Sequence, residues 1–90
     1  MTDLLEEIRS QAAREQLPIL RDPELPLLTR ILQQTKPARL LEIGTCIGYS
    51  ALIMAPFLAE GGMLTTIELD EERYRTAKEY FSRSPYARVI

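Results

Sequence analysis

The sequence predicts an α/β fold in which the strands of a parallel sheet alternate with helices. Two short apolar runs, residues 39–43 and 63–68, are each followed by a segment with helical periodicity. A third apolar run opens at residue 87, so the order is two leading helices and then β-α-β-α-β. Strands and helices that alternate in this way form a parallel sheet with right-handed crossovers. The pattern is that of one half of a doubly wound sheet.

The first predicted helix covers residues 3–16 and opens a helical cap segment that we assign to residues 1–37. Thr2 or Asp3 is expected to cap it. It ends before Pro18, because a proline biases the preceding residue away from the helical region. Its charged residues lie mostly on other faces than its apolar ones. The apolar side chains at helical spacing are Leu4, Leu5, Ile8 and Ala12.

The second predicted helix begins at the run Asp22-Pro23-Glu24 and extends to about Gln34. A capping aspartate, a proline suited to the first turn and an acid near the positive helix end are the usual signals of a helix start. Pro37 follows the helix and cannot continue it. The apolar residues expected to face inward are Leu28, Ile31 and Leu32.

Residues 38–90 contain the predicted sheet and its crossover helices. The strand at 39–43 is followed by a helix over 49–59, in which Pro56 is expected to cause a kink or an early end. The strand at 63–68 precedes a helix over 71–82 that Asp70 can cap. Residues 87–90 are the expected start of a third strand. The apolar face of the last helix is expected to contain Tyr74, Ala77 and Phe81.

The composition excludes several classes of function. The 90 residues include 11 Lys+Arg and 13 Asp+Glu, which give a net charge of −2 and no basic footprint for nucleic acid. With no His and one Cys, the chain lacks the usual zinc sites and cannot build a Ser-His-Asp or Cys-His centre. No apolar run approaches the ~20 residues of a membrane helix, and no secretory signal is visible. We therefore expect no membrane partner. Since the lone Cys46 cannot form an internal disulfide, we also expect a cytoplasmic protein.

The turn after the first strand carries the strongest functional signal. Gly44 stands where the strand turns sharply into a helix, and its missing Cβ lets a ligand approach the backbone. Gly48 opens the next helix, whose free N–H groups favour a carboxylate or phosphate. Ser50 can donate its hydroxyl to the same anion. Glu42, just before the turn, would suit an ammonium group.

Glu68, at the end of the second strand, is a further candidate binding residue, 24 residues after Gly44. In doubly wound folds, an acid at about this distance from the glycine turn accepts hydrogen bonds from ribose hydroxyls. The predicted ligand therefore has an amine, a carboxylate and a ribose. That description fits S-adenosylmethionine better than NAD, because the run is G-x-x-x-G where the NAD fingerprint needs G-x-G-x-x-G.

Each of these residues also has a simpler structural interpretation. Gly44 and Gly48 could be packing glycines between strand and helix, and Glu68 could be a capping acid. Tyr49 is more often a packing residue than a chemical one. Cys46 is more naturally a small turn residue than a nucleophile, because nothing nearby would activate it. The combination, in this order and at this spacing, favours a ligand site.

The runs at residues 41–51 and 64–68 resemble the class I S-adenosylmethionine-dependent O-methyltransferases. The nearest group is the catechol/caffeoyl-CoA O-methyltransferase-like family, methyltransferase family 3, whose bacterial members include enzymes that modify tRNA wobble uridines. The resemblance covers residues 17–81 and implies a Rossmann-like fold with S-adenosylmethionine as cofactor. The cofactor-binding residues that it implies are Glu42 (near the methionine amine), Gly44 (under the cofactor), Gly48, Tyr49 and Ser50 (at the carboxylate), Glu68 (on the ribose hydroxyls) and Leu69 (beside the adenine).

The same resemblance implies that an essential part of the site lies outside this sequence. In the family, the ligands of a divalent ion such as Mg²⁺, two Asp and an Asn, follow the third strand, and so does the catalytic Lys. No residue here matches them, so we expect neither a metal site nor a catalytic residue in this chain. The chain resembles the truncated N-terminal half of the enzyme, and the methyl acceptor stays open between small aromatic hydroxyls and tRNA bases.

A half sheet also has consequences for partners. In the complete fold the first strand would be central, so its free edge would be apolar and would invite a second copy or a partner chain. Two other functions therefore stay open at this point: a non-catalytic cofactor-binding or assembly module that needs a partner chain, and the dinucleotide-binding half of an oxidoreductase.

Overall fold

The structure, a computed structural model, describes residues 1–90 as four α-helices and a two-stranded parallel sheet. The predicted α/β class is confirmed. No helix is both long and apolar enough to cross a membrane. The elements, in chain order, are α1 (Thr2–Glu15), a 3-10 turn (Asp22–Glu24), α2 (Leu25–Thr35), β1 (Arg39–Ile43), α3 (Tyr49–Met54), a second 3-10 turn (Ala55–Phe57), β2 (Met63–Ile67) and α4 (Glu71–Ser82).

The two strands pair in parallel, and their register sets Leu40 opposite Leu64 and Glu42 opposite Thr66. Side chains alternate between the faces of a strand, so one face of the sheet turns toward the helices and the other turns away. The helix side holds Leu64, which is fully buried. The other face is uncovered. We name it the open face, and it consists of Arg39, Leu41, Ile43, Met63, Thr65 and Ile67.

The core lies between the covered face of the sheet and the helices α1, α3 and α4. Its fully buried large side chains are Ile8 of α1, Ile47 of the turn after β1, Leu52 of α3 and Leu64 of β2. The predicted apolar stripe of α1 is thus used to pack the core. Two polar contacts add to the α1–α4 packing: Arg83 binds Glu7 through two hydrogen bonds of 2.8 and 2.6 Å, and Tyr80 donates to Gln11.

The starts of the first two helices differ from the predictions. Met1 is the N-terminal cap of α1, and neither Thr2 nor Asp3 makes a capping hydrogen bond. Asp22 does not cap the second helix either, because its carboxylate pairs with Arg9 at 3.1 Å. That helix begins instead with a 3-10 turn, in which Glu24 accepts from the backbone N–H of Arg21 at 3.1 Å. A tertiary ion pair has therefore replaced the expected local cap.

Three other expectations are wrong. Ile31 is 46% exposed and Tyr74 is 47% exposed, because the helices meet the core along narrower stripes than the sequence suggested. Tyr80 takes a buried place in α4. Residues 87–90 form no strand, since the segment makes one backbone bond to β2, from Leu64 N–H to Val89 C=O (2.7 Å), and otherwise folds into turns. A single bond of this kind does not make a ladder.

The remaining elements agree with the sequence. β1 and α4 have the predicted bounds, and the Asp70 carboxylate caps α4 by accepting from the backbone N–H of Arg73 at 3.2 Å. α3 ends at Met54, and Pro56 lies in a 3-10 turn, so the expected early end is confirmed. The division of the chain at residues 37 and 38 stays a prediction.

Candidate functional site

The turn between β1 and α3 is anchored to the carboxyl end of β2. The backbone N–H groups of Gly44 and Thr45 both donate to the carbonyl of Ile67, at 2.8 and 3.1 Å. Gly44 has φ of +93°, and no atom lies within 4 Å of where its Cβ would be. The turn therefore needs a glycine here, and the backbone of that glycine borders open space.

Glu42 lies at the centre of a hydrogen-bonded cluster beside this turn. Ser50 donates its hydroxyl to Oε2 of Glu42, and Thr66 donates to Oε1 at 2.7 Å. The Oγ1 atoms of Thr45 and Thr66 are 2.6 Å apart. The lone acid of β1 is thus paired, as burial of a charged group within a strand requires. A carboxylate offers about four acceptor positions, so Glu42 keeps some free for a ligand.

Glu68 lies just beyond the end of β2, and two backbone amides orient it. Its Oε1 accepts from the N–H of Cys46 at 2.7 Å, and its Oε2 accepts from the N–H of Asp70 at 3.0 Å. Each carboxylate oxygen again keeps acceptor capacity. Leu69, the next residue, is 96% exposed. The structure thus brings Glu42 and Glu68 to the same end of the sheet, on neighbouring strands, with the turn between them.

Gly48 and Tyr49 are placed differently from the other predicted site residues. A Cβ on Gly48 would lie 2.7 Å from Cε1 of Phe81, and φ at Gly48 is +101°. Gly48 therefore packs closely against the Phe81 ring, and contact of its backbone with a ligand stays a prediction. Tyr49 is buried in the core cluster. Since the hydroxyl proton of Ser50 goes to Glu42, Ser50 would have to turn that proton away to bind an anion.

A small cavity of about 80 Å³ lies over the turn. The segment between α1 and α2 closes one side of it with Pro18, Ile19 and Leu20. The turn and the start of α3 form the other side, so the linker covers part of the site. A larger depression of about 450 Å³, between the start of α1 and Arg83, contains none of the predicted site residues.

Cys46 is not activated as a nucleophile, and residues 1–90 contain no cluster of side chains that could hold a metal ion. Burial raises the pKa of the Cys46 thiol, which keeps it protonated and unreactive, in agreement with its assignment as a turn residue. No group of three or more Asp, Glu, Cys or His side chains is arranged to hold a metal ion.

Sequence reasoning missed Thr45 and Thr66. Thr45 is 4% exposed and is the single buried polar residue of the chain. Thr66 lies opposite Glu42 in the sheet. The one signal that could have identified Thr66 is its place two residues before Glu68, which puts it on the same face of the same strand. Its contact with Glu42 depends on the strand register, which the sequence does not show.

Comparison with known proteins gives a consistent family. The family model described as O-methyltransferase matches residues 1–90. A caffeoyl-CoA O-methyltransferase-like protein of Arabidopsis thaliana is 30% identical over an alignment of 87 positions that covers 91% of this chain and 37% of that protein. The transmembrane O-methyltransferase of Homo sapiens is 40% identical over 53 residues, 59% of this chain and 18% of that protein.

Solved structures agree. The O-methyltransferase TomG from Streptomyces achromogenes, in complex with SAM, matches with a TM-score of 0.83 and 27% identity, over 97% of this chain and 40% of that one. The O-methyltransferase from Bacillus cereus, in complex with SAH, matches with a TM-score of 0.78 and 30% identity, over 90% of this chain and 38% of that one. This chain therefore spans less than half the length of each of these proteins.

Proposed function

This chain belongs to the O-methyltransferase family, and from that membership we propose that it forms the cofactor-binding half of an S-adenosylmethionine-dependent methyltransferase. The observation that carries the proposal is the pair of carboxylates, Glu42 and Glu68, oriented at the ends of adjacent parallel strands on either side of an open glycine turn. Ligands of α/β sheets bind at this carboxyl end. Two similar solved proteins hold SAM or SAH.

Glu68 would bind the ribose of the cofactor. Its two amide contacts fix the carboxylate and leave an acceptor position on each oxygen, which matches the two neighbouring hydroxyls of a ribose. Such charge-assisted bonds are worth about 1.5–3 kcal/mol each. Leu69, exposed directly after Glu68, would lie beside the adenine.

Glu42 would bind the methionine amine, and Gly44 would let the cofactor pass close to the backbone. The carboxylate of the cofactor would lie near Ser50 and the backbone at Gly48 and Tyr49. The Ser50 hydroxyl now donates its proton to Glu42. An arriving ammonium group would balance the negative charge of Glu42, and the Ser50 hydroxyl could then donate to the cofactor carboxylate. Bound in this way, the cofactor would present its sulfonium methyl group at a fixed position.

The whole protein would transfer that methyl group to an oxygen by in-line displacement, in which orientation of the two reactants supplies much of the rate. A hydroxyl of a small aromatic compound or a tRNA base is the proposed class of acceptor. The residues of this chain do not fit the divalent ion that the family resemblance implies. No step is therefore assigned to a metal here, and the role of these residues is to bind and orient the cofactor.

Glu68→Ala is expected to weaken binding of S-adenosylhomocysteine by about tenfold or more, a loss of about 1.4 kcal/mol, because the ribose loses its acceptor. Isothermal titration of the ligand into both proteins measures this. Glu68→Gln is the conservative variant, since it keeps one oxygen for the backbone amides. Glu72→Ala is the matched control. It removes an exposed acid four positions further along the chain and should bind as the wild type does.

Competition between NAD and S-adenosylhomocysteine distinguishes a dinucleotide site from an S-adenosylmethionine site. NAD should fail to displace S-adenosylhomocysteine, because the turn lacks the NAD fingerprint. Preference for NAD would instead support the dinucleotide-binding half of an oxidoreductase. A folded chain, checked by circular dichroism, that binds neither ligand would contradict the cofactor-binding proposal.

A second candidate function, an assembly module that pairs with another copy or with a partner chain, is favoured by the open face. Leu41 and Ile43 on that face are 66% and 74% exposed, and β1 has a strand neighbour on one side only. Unpaired apolar strands of this kind associate readily. Contact through this edge and face is therefore proposed for the protein.

Ile43→Lys is expected to suppress self-association, because it places a charge at the most exposed apolar residue of the open face. Sedimentation velocity over a concentration series should show larger species for the wild type and a monomer for the variant. Leu27→Lys, at an exposed leucine of α2 outside the open face, is the control and should associate as the wild type does. A wild-type chain that stays monomeric and melts cooperatively at every concentration would contradict self-association.

A further inference from the structure

Two hydroxyl groups bind Glu42 and a third binds one of them, and the number of protons that they carry sets the direction of the hydrogen bonds. A threonine or serine hydroxyl has one proton to donate. Thr66 gives its proton to Oε1 of Glu42, at 2.7 Å, so the 2.6 Å contact between the hydroxyls must be donated by Thr45. Ser50 donates to Oε2. The bonds thus run from Thr45 to Thr66 to Glu42, with Ser50 closing the other side.

We propose that Thr66, supported by Thr45, is a positioning residue that holds the Glu42 carboxylate in the orientation that receives the ammonium group of the cofactor. This inference rests on the proposed function and concerns a residue that would not itself touch the ligand. Thr66 lies opposite Glu42 in the strand register, on the half-buried side of the sheet. Thr45 is buried in the turn and keeps the Thr66 hydroxyl from rotating away.

The reason that Glu42 needs such support is its flexibility. A glutamate side chain loses considerable rotamer freedom when it is fixed, and a ligand that had to fix it would bind more weakly. Here Thr66 and Ser50 each hold one carboxylate oxygen before any ligand arrives. If the ammonium group releases the Ser50 proton, as proposed above, Thr66 becomes the remaining side-chain anchor of Glu42.

A purely structural role of Thr66 would have different consequences. In that case its hydroxyl would only satisfy a half-buried carboxylate, and its removal would lower stability and weaken every nucleoside ligand equally. A positioning role affects only ligands that carry the amine, and only while Glu42 is present to bind it. The two roles can therefore be separated by the choice of ligand and by a double-mutant cycle.

Thr66→Val is the direct test, because valine keeps the shape of threonine and removes the hydroxyl. It is expected to weaken binding of S-adenosylhomocysteine by about fivefold to tenfold, part of the value of a hydrogen bond to a charged group. It should leave unchanged the binding of 5′-methylthioadenosine, which has the ribose and adenine but no amine. Thr66→Ser should restore binding. Thr65→Val, on the open face of the same strand, is the matched control and should have no effect.

A double-mutant cycle that combines Thr66→Val with Glu42→Gln completes the test. If Thr66 acts through Glu42, then Thr66→Val should change the affinity for S-adenosylhomocysteine less than twofold in the Glu42→Gln background, so that the effects of the two substitutions are not additive. Equal weakening of both ligands by Thr66→Val, or a full additional loss in the Glu42→Gln background, would overturn the proposal and leave the cofactor site intact. Absence of binding of both ligands to the folded wild type would instead refute the proposed function, and the positioning role with it.

Discussion

Gly48→Ala is expected to lower the stability of the chain substantially, because it combines backbone strain with a steric clash. The φ of +101° at Gly48 is unfavourable for any residue with a side chain, and such strain costs about 1–3 kcal/mol. The new Cβ would also lie 2.7 Å from Cε1 and 3.1 Å from Cζ of Phe81. Phe81 belongs to the core cluster, so its ring has little room to move, and overpacking of this kind costs about 1–3 kcal/mol more.

Strain and overpacking together are a large part of the free energy of unfolding of a folded domain, which is usually about 5–15 kcal/mol. Urea denaturation followed by circular dichroism, at matched protein concentration, measures the free energy of unfolding of each variant. Gly61→Ala separates the two contributions, because φ at Gly61 is +76° but no atom lies within 4 Å of the added Cβ. The double variant Gly48→Ala with Phe81→Leu should recover part of the steric contribution. Equal losses in Gly48→Ala and Gly61→Ala would show that the Phe81 ring yields without cost.

The elements that the sequence predicted well are those whose ends are marked by local chemistry. α4 begins where Asp70 caps it, and α3 stops two residues before Pro56. Each signal acts within a few residues, so it can be read without knowing the fold. The predictions that failed concern residues whose contacts lie far away in the sequence. Asp22 is a good cap in isolation, but it pairs with Arg9, which is thirteen positions away in the chain.

The candidate site divides in the same way. The sequence proposes Glu42 from its place just before the glycine turn and Glu68 from its spacing of 24 residues after Gly44, and both positions are local to the chain. Thr66 was missed because its contact with Glu42 depends on a register between strands that a crossover separates. The sequence left Gly48 open between ligand contact and packing. The structure shows that Gly48 packs against the Phe81 ring, and contact of its backbone with a ligand stays a prediction.

Gly44→Ala is expected to abolish most cofactor binding while costing little more stability than Gly61→Ala. Both glycines have positive φ, +93° and +76°, and neither has an atom within 4 Å of an added Cβ. The strain should therefore be similar, about 1–2 kcal/mol. The difference lies in what borders each glycine. At Gly44 the new methyl group would enter the open space beside the turn, which we assign to the cofactor.

A methyl group forced into a filled contact costs about 1–3 kcal/mol, which corresponds to roughly tenfold to a hundredfold weaker binding of S-adenosylhomocysteine. Titration calorimetry of the two alanine variants, each below its melting temperature, compares them directly. Gly61→Ala should bind as the wild type does, since Gly61 lies in the turn before β2, at the opposite end of the sheet from the site. If Gly44→Ala also binds normally, the ligand does not pass under Gly44. The φ at Gly44 would then serve only the turn.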